Sequence, residues 1–341
     1  MHSHHSHSGA FCKHASPTSS PSSMITTAIE KGFTHYNLTE HIPRSHVNHL
    51  YPEEIAENLT PKDLKTAFDE YLLEAKSCAS KYADQIQILV GAELENIDGR
   101  TGSELNFVEG ILRDGQKGQW RIDYVVGSVH HVHGIPIDFD KPTFEKALLR
   151  FSQSSLHGND RIRSHLLLII AYLDAQLALI QRFQPEVIGH FDLCRLFEKD
   201  TPMTLAGKDR IPVELHPLLA EVDAAVKRNV KAATSYGSLF EINTASVRKG
   251  WPTPYPGEDV LDIVLAHNGR LCLSDDAHSH EQVGLNYHKA YQYLHRKGVT
   301  EVYYLTKTAN SSSSQPFSRG THADKIPLNV LNDFIVKQSP K

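Results

Sequence analysis

The chain has 341 residues, 40% hydrophobic and 22% charged, which is ordinary globular composition and enough length for one large domain or two ordinary ones. A net charge of −5 without long like-charged runs argues against non-specific nucleic-acid binding, which needs a basic stripe, although local basic residues suffice for a small anion. Cys12, Cys78, Cys194 and Cys272 stand far apart with no C-x-x-C pair, so neither a structural zinc module nor a disulfide framework is expected, and a reducing compartment fits.

The first element in the chain is the tract "HSHHSHSGAFCKHA", residues 2 to 15. It admits three readings: a purification tag, a disordered metal-sticky tail, or half of a metal site. Its histidines are spaced rather than contiguous and lead into Gly-Ala-Phe-Cys-Lys-His, so it reads as native sequence; alone it supports only weak metal binding. No apolar signal segment precedes it, and a cytoplasmic protein with no membrane partner is expected.

Strand-like runs then alternate with helical patterns. The strands are "THYNL" from Thr34, "IQILVGA" from Ile86, "YVVGSV" from Tyr124, "VIGH" from Val187, "LFEIN" from Leu239, "LCLS" from Leu271 and "VYYL" from Val302. The helix of "LTPKDLKTAFDEYLLEAKSCASKY" opens with Thr60 as cap and Pro61 at its first position, and that of "EDVLDIVLAHNG" closes on Asn268-Gly269. "HLLLIIAYLDAQLALI" is broken by Asp174 and repeats at helical spacing, so it is expected to be a buried helix. Polar excursions are expected near 200–210 and at 308–320, "TANSSSSQPFSRG". Strands separated by helices predict a parallel sheet. Seven or eight such units without a phosphate-binding glycine fingerprint favour a closed or nearly closed barrel, built as one domain over residues 1–341.

Metal-type residues fall at the carboxyl ends of these strands. His41 follows "YNLTE", Glu93 closes "ILVGAE", His130 closes "VVGSVH", His190 closes "VIGH", and Asp276 and His278 follow "LCLSD". Any one of them is more often a plain hydrogen-bonded residue; the regularity of the set is what points to a site, because barrels assemble their chemistry at that end. Imidazole and carboxylate without thiolate suit zinc, iron or manganese, and a carboxylate can bridge two ions about 3.5–4 Å apart. On a strand, His5-x-His7 directs two imidazoles the same way, and His14 follows after a short loop.

The segments "HSHHSHSGAFCKHA", "LTEHIPR", "YPEE", "GAELEN", "DYVVGSVHHV", "VIGHFDLCRLF", "EINTASVRKG" with "PYPG", and "LSDDAHS" together resemble the polymerase and histidinol phosphatase (PHP) metal-dependent phosphoesterases, closest to their fungal-type monofunctional histidinol-phosphatase branch. The resemblance implies an α/β fold, a distorted (β/α)7 TIM-like barrel, holding three divalent ions. Carried over by position, His5, His7, Glu93 and Asp276 hold one metal. Glu93 bridges to a second on His130 and His190, and His14, His41 and His278 hold a third. Glu95, Asp275, His4 and His131 are adjacent alternatives, and with only Met1 to His4 before the His5-x-His7 pair, a part for His2 or His4 stays open.

The implied reaction is hydrolysis of L-histidinol phosphate to L-histidinol and phosphate in histidine biosynthesis, with Glu93, His130 and Asp276 at the catalytic core and water activated between bridged metals. Arg44, Arg195 and Arg248, ahead of Lys249, are the phosphate-binding candidates, since a guanidinium matches phosphate bidentately. Glu241 and Asn243 suit either the substrate's amino group or imidazole, or structural hydrogen bonding. The partner is a small molecule, and a homodimer is compatible with it. "DFDKP" at Asp138 echoes a haloacid-dehalogenase nucleophile motif, but Pro142 occupies its Thr/Val position; "GILRDGQK" lacks the Gly-Lys-Ser/Thr of a P-loop. A PHP phosphoesterase for another phosphate ester, or a barrel that binds metal without turnover, are the remaining alternatives.

Overall fold

The computed structural model describes residues 1–98, 102–116, 118–153, 156–308 and 317–338. Its strands are β1 (His2–Ser3), β2 (His35–Tyr36), β3 (Gly91–Leu94), β4 (Tyr124–Gly127), β5 (His131–Val132), β6 (Ile135–Pro136), β7 (Val187–Ile188), β8 (Leu239–Asn243), β9 (Arg270–Ser274), β10 (Glu301–Lys307) and β11 (Thr321–Pro327). Seven of them form one sheet in the order β11-β10-β9-β8-β7-β4-β3. Pairing is parallel from β3 through to β10, and β11 is an antiparallel edge. β1 and β2 make a separate parallel pair. Isolated parallel bridges His35–Gln87, Leu38–Val90 and His41–Glu93 set the chain from β2 onward beside the β3 segment, and Ser6–Ala277 sets the chain after β1 beside the end of β9.

The helices form where their end signals stand. Thr60 accepts from the Asp63 backbone and completes a capping box, and Pro61 starts the helix Pro61–Lys81. The helix Glu258–Ala266 stops before Asn268, which takes the left-handed conformation (φ 56°). Gly269 serves space instead: a Cβ there would sit 2.5 Å from Val264 Cγ1. The expected apolar helix spans Gly158–Phe183, long and apolar enough to cross a membrane by length and composition. Here it buries Leu166, Ile169, Tyr172, Leu173 and Ile180 in the core, and Asp174 pairs with Arg228 at 2.9 Å.

Three differences from the sequence reading have physical causes. The first strand ends at Ser3, so His5 and His7 lie beyond it, flanking the Ser6 bridge. Histidines serve as its side-chain body: Leu273 N–H donates to His2 Nε2 at 3.1 Å, Leu305 N–H donates to His4 Nε2 at 3.0 Å, and His4 Nδ1–H donates to the Leu273 carbonyl at 3.2 Å. β11 carries the polar sequence "THADKIP", which hides an edge strand from any hydrophobic pattern. The segment 200–210 is tied down, with a 3-10 helix over Leu205–Arg210 and Leu205 N–H donating to Asp223. Of the expected excursion at 308–320, residues 309–316 lie outside the described residues.

Candidate metal centre

The parallel strands deliver their following residues to one end of the sheet, the usual end for α/β sites. Glu93 sits within β3; His130 lies three residues past β4, His190 two past β7, and Asp276 two past β9. Close approach makes this possible: a Cβ on Gly189 would stand 2.4 Å from Ser128 Oγ, so only glycine lets the β7 end bring His190 against the β4 end. Asp276 has φ 47°, a sparsely populated conformation for a residue with a side chain. The turn separates two neighbouring carboxylates. Asp276 faces the site, while Asp275 accepts from Ser3 Oγ and Gly284 N–H in the interior, where burial raises it to about 6.

Glu93 is almost fully buried and ringed by nitrogen. Around Oε1 stand His5 Nε2 at 3.2 Å, His190 Nε2 at 3.2 Å and His130 Nε2 at 3.3 Å. Around Oε2 stand His41 Nδ1 at 2.9 Å and His7 Nε2 at 3.3 Å, yet Oε2 has no aligned hydrogen-bond partner among the described residues. A carboxylate only accepts, so it fixes the tautomer of a ring that donates to it. Glu241 takes His5 Nδ1–H at 2.9 Å, Glu40 takes His7 Nδ1–H at 3.4 Å, and Glu95 takes His130 Nδ1–H. The Nε2 lone pairs of those three rings therefore point inward. His5 and His7 Nε2 lie 3.1 Å apart, and His130 and His190 Nε2 lie 3.2 Å apart.

Converging lone pairs around a buried carboxylate need cations between them. This carboxylate–imidazole–centre arrangement is the one that metal-bound histidines adopt, so the residues fit divalent ions. With protons as the cations instead, burial opposes charge on His5, His7 and His130, but their carboxylates outweigh it: His7 rises to about 9, and His5 and His130 rise well above the ordinary range. Burial alone would raise Glu93; the surrounding imidazoles hold it well below its usual value.

A second cluster adjoins the first. His14 Nε2 lies 3.1 Å from His41 Nε2 and 3.1 Å from Cys12 Sγ. His14 Nδ1–H donates to Glu53 at 3.2 Å, and His278 Nδ1–H donates to the Asp276 carbonyl at 2.9 Å. The side chains of Cys12, His14, His41 and His278 offer ligand atoms all within 4.8 Å of one another.

Both clusters open onto a cavity of about 340 Å³, within the size range of small-ligand sites. Of the residues expected to bind substrate, Arg248 lines it, donating to the carbonyls of Asp275 and Asp276 at 2.7 Å each. Lys249 lines it too, whereas Arg44, Arg195, Glu241 and Asn243 lie outside the lining. Arg44 is buried against Glu54 and the Tyr51 ring, and Arg195 is buried against Asp192 and Asp259. Glu241 and Asn243 stand behind the site: Glu241 also accepts from His190 N–H at 2.7 Å, and Asn243 donates to Asp276 at 3.1 Å. His131 packs on Tyr51 near Glu95.

The sequence reading gave no site role to several lining residues: Tyr51, Glu53, Asp138, Phe139 and Tyr255. Tyr255 has a buried hydroxyl with no hydrogen-bond partner among the described residues, and burial keeps it protonated. Its "PYPG" context was the available signal.

Residues 3–245 match the PHP domain family. A Schizosaccharomyces pombe protein named "Probable histidinol-phosphatase" is 41% identical over 334 residues, covering 98% of this chain and 96% of that protein. The chain belongs to the PHP family. Another relative of this PHP protein is a Saccharomyces cerevisiae histidinol-phosphatase, 32% identical over 92% of this chain and 93% of that one. Among solved structures, a histidinol phosphatase candidate from Listeria monocytogenes superposes with a TM-score of 0.63 at 20% identity, covering 84% of this chain and 99% of that one. Histidinol phosphate phosphatase from Lactococcus lactis, crystallised with zinc, L-histidinol and phosphate, gives 0.52 at 18% identity, covering 89% and 95%. These two likenesses establish the α/β fold.

Proposed function

We propose that this PHP protein hydrolyses L-histidinol phosphate to L-histidinol and phosphate, a step of histidine biosynthesis, at a centre of three divalent metal ions. The observation that carries the chemistry is the Glu93 carboxylate ringed by imidazoles whose lone pairs are turned inward. Near-full-length similarity to histidinol-phosphatases supports the substrate. The fold we infer is a single domain, a distorted (β/α)7 barrel. The bridges that seat β1 and β2 between β3 and β9 support a ring of β1, β2, β3, β4, β7, β8 and β9.

In this reading His5, His7, Glu93 and Asp276 hold one ion, Glu93, His130 and His190 a second, and His14, His41 and His278 a third. Bound ions would lower the pKa of a water and neutralise phosphoryl oxygens, the two requirements of a very slow uncatalysed hydrolysis. The chain supplies the rest. Glu241, Glu40 and Glu95 hold three imidazoles in one tautomer and orientation. Arg248, already fixed by two backbone carbonyls, presents its remaining N–H groups to the phosphate. The Tyr255 hydroxyl donates to an oxygen of the ester, and Asp138 and Glu53 at the cavity wall attract the substrate's ammonium and imidazole.

The test is phosphate release by the untagged protein from histidinol phosphate beside sugar phosphates and nucleotides, with metal content recorded. We expect strong preference for histidinol phosphate, abolished by chelation. Preference for another ester would overturn the substrate, and no release with metal bound would overturn the enzymatic reading.

A further inference from the structure

Sequence logic assigned the centre only imidazole and carboxylate donors, but a sulfur lies in its outer cluster. Cys12 is buried, at 4% exposure, in the turn between His7 and His14. That turn is closed by the Phe11 and Cys12 backbone N–H groups donating to the Ser8 carbonyl at 3.0 and 2.9 Å. It places Sγ 3.1 Å from His14 Nε2, the nitrogen that also faces His41 Nε2 at 3.1 Å.

The proton inventory of this cluster is informative. His14 Nδ1–H is committed to Glu53, so His14 Nε2 carries a single lone pair. His41 keeps its proton on Nδ1, 2.9 Å from the Glu93 carboxylate, so its Nε2 faces His14 Nε2 lone pair to lone pair at 3.1 Å, and the Cys12 thiol, 3.1 Å from His14 Nε2, is the proton donor beside them. His278 Nδ1–H is committed to a backbone carbonyl, so its Nε2 lone pair is free to join the group. One ion at the centre removes the conflict. Ligand atoms of a single zinc, at about 2.0–2.1 Å for nitrogen and about 2.3 Å for sulfur, stand roughly 3–4 Å apart; here the sulfur and the His41 nitrogen each lie 3.1 Å from His14 Nε2, with all four ligand atoms within 4.8 Å of one another.

We propose that Cys12 is a thiolate ligand of the outer ion, completing a four-ligand set with the imidazoles of His14, His41 and His278. The inference rests on the metal-centre reading above and adds a donor to it. Binding converts the thiol and a divalent ion into a metal thiolate and one proton released to water. Three imidazoles and a thiolate are a closed set for zinc, whereas the inner positions around Glu93, without sulfur, also suit harder ions such as manganese. The outer position would therefore be the most zinc-selective of the centre. The same sulfur lies within 4.8 Å of ligand atoms of His7 and Glu40, next to the inner ions.

The test uses the full-length protein stripped of metal and titrated with cobalt(II). We expect a near-ultraviolet sulfur-to-cobalt charge-transfer band in the parent and in Cys78→Ser, absent in Cys12→Ser, which keeps the visible bands of nitrogen- and oxygen-bound cobalt. Zinc affinity of one site in Cys12→Ser should fall by at least about tenfold, since even indirect perturbation of a ligand costs that much. Should Cys12→Ser fold poorly, X-ray absorption of the zinc-loaded parent decides alone, through a sulfur neighbour at about 2.3 Å. Visible cobalt bands with no sulfur band, or a sulfur band that survives Cys12→Ser, overturn the thiolate while leaving the metal centre standing. Failure of the parent to take up cobalt or zinc overturns both.

Discussion

His2 and His4 share a tract with His5 and His7, and all four rings are buried, yet their ring nitrogens meet opposite company. The first two accept backbone N–H groups from β9 and β10, and burial keeps them neutral, with His4 pushed down to about 4. The second two give their Nδ1–H to Glu241 and Glu40 and turn bare lone pairs toward Glu93. An imidazole whose lone pair is already used by the backbone is structural, and one whose N–H is used by a carboxylate is ready for a cation. The arginines divide in the same way: Arg44 and Arg195 are consumed by buried carboxylates, whereas Arg248 is anchored on carbonyls at the cavity wall.

This contrast can be broken by substitution, and the largest effect belongs to the residue all the bare lone pairs face. Glu93→Ala should lose bound metal and lower the hydrolysis rate on the order of 10⁴-fold, as loss of one member of a cooperating set does, while the fold persists. Full metal occupancy with a normal rate would remove Glu93 from the centre. Glu241→Gln keeps the shape but takes away the carboxylate that fixes His5, so metal affinity should drop about 10–100-fold in a chelator competition. Unchanged affinity would mean that His5 is oriented by packing alone.

Among the arginines, Arg248→Lys should raise KM for the phosphate ester about tenfold, the loss of one charge-assisted contact, whereas Arg195→Lys should leave KM alone and lower the melting temperature. A KM effect at Arg195 would reverse the assignment. Smallest is His4→Ala, expected to cost about 1–3 kcal/mol in denaturant unfolding through the orphaned Leu305 N–H, with metal content unchanged. His4 binds its proton less readily in the folded chain than at its ordinary 6.5, so its contribution is intact above that pH and is lost as pH falls toward about 4. The variant's stability should therefore be flatter than the parent's across that interval.

The strand-end positions of His41, Glu93, His130, His190 and Asp276 were legible because a parallel sheet converts recurrence along the chain into convergence in space. Thr60 and Pro61 marked their helix start for equally local reasons. What escaped depended on distant partners. Nothing near Arg195 reveals that Asp259, 64 residues later, will neutralise it, and nothing near His4 announces the N–H of Leu305. Glu241, closing a strand, suited a substrate contact and a structural hydrogen bond equally; its burial behind His5 belongs to the assembled sheet. Cys12 went unassigned because a thiol alone in sequence is most often inert filler.

The tie between Ser3 and Asp275 joins residues 272 positions apart, and the residues proposed to hold metal run from His5 to His278. Contacts of such long sequence separation carry a large loop-closure cost before they return any stability, so they form late in folding. A nascent chain that has passed His190 but not yet Asp276 holds seven of the nine proposed imidazole and carboxylate ligands with nothing to close the set. Metal capture at the proposed centre is then expected at the end of folding: refolding monitored by zinc uptake should lag refolding monitored by helix content.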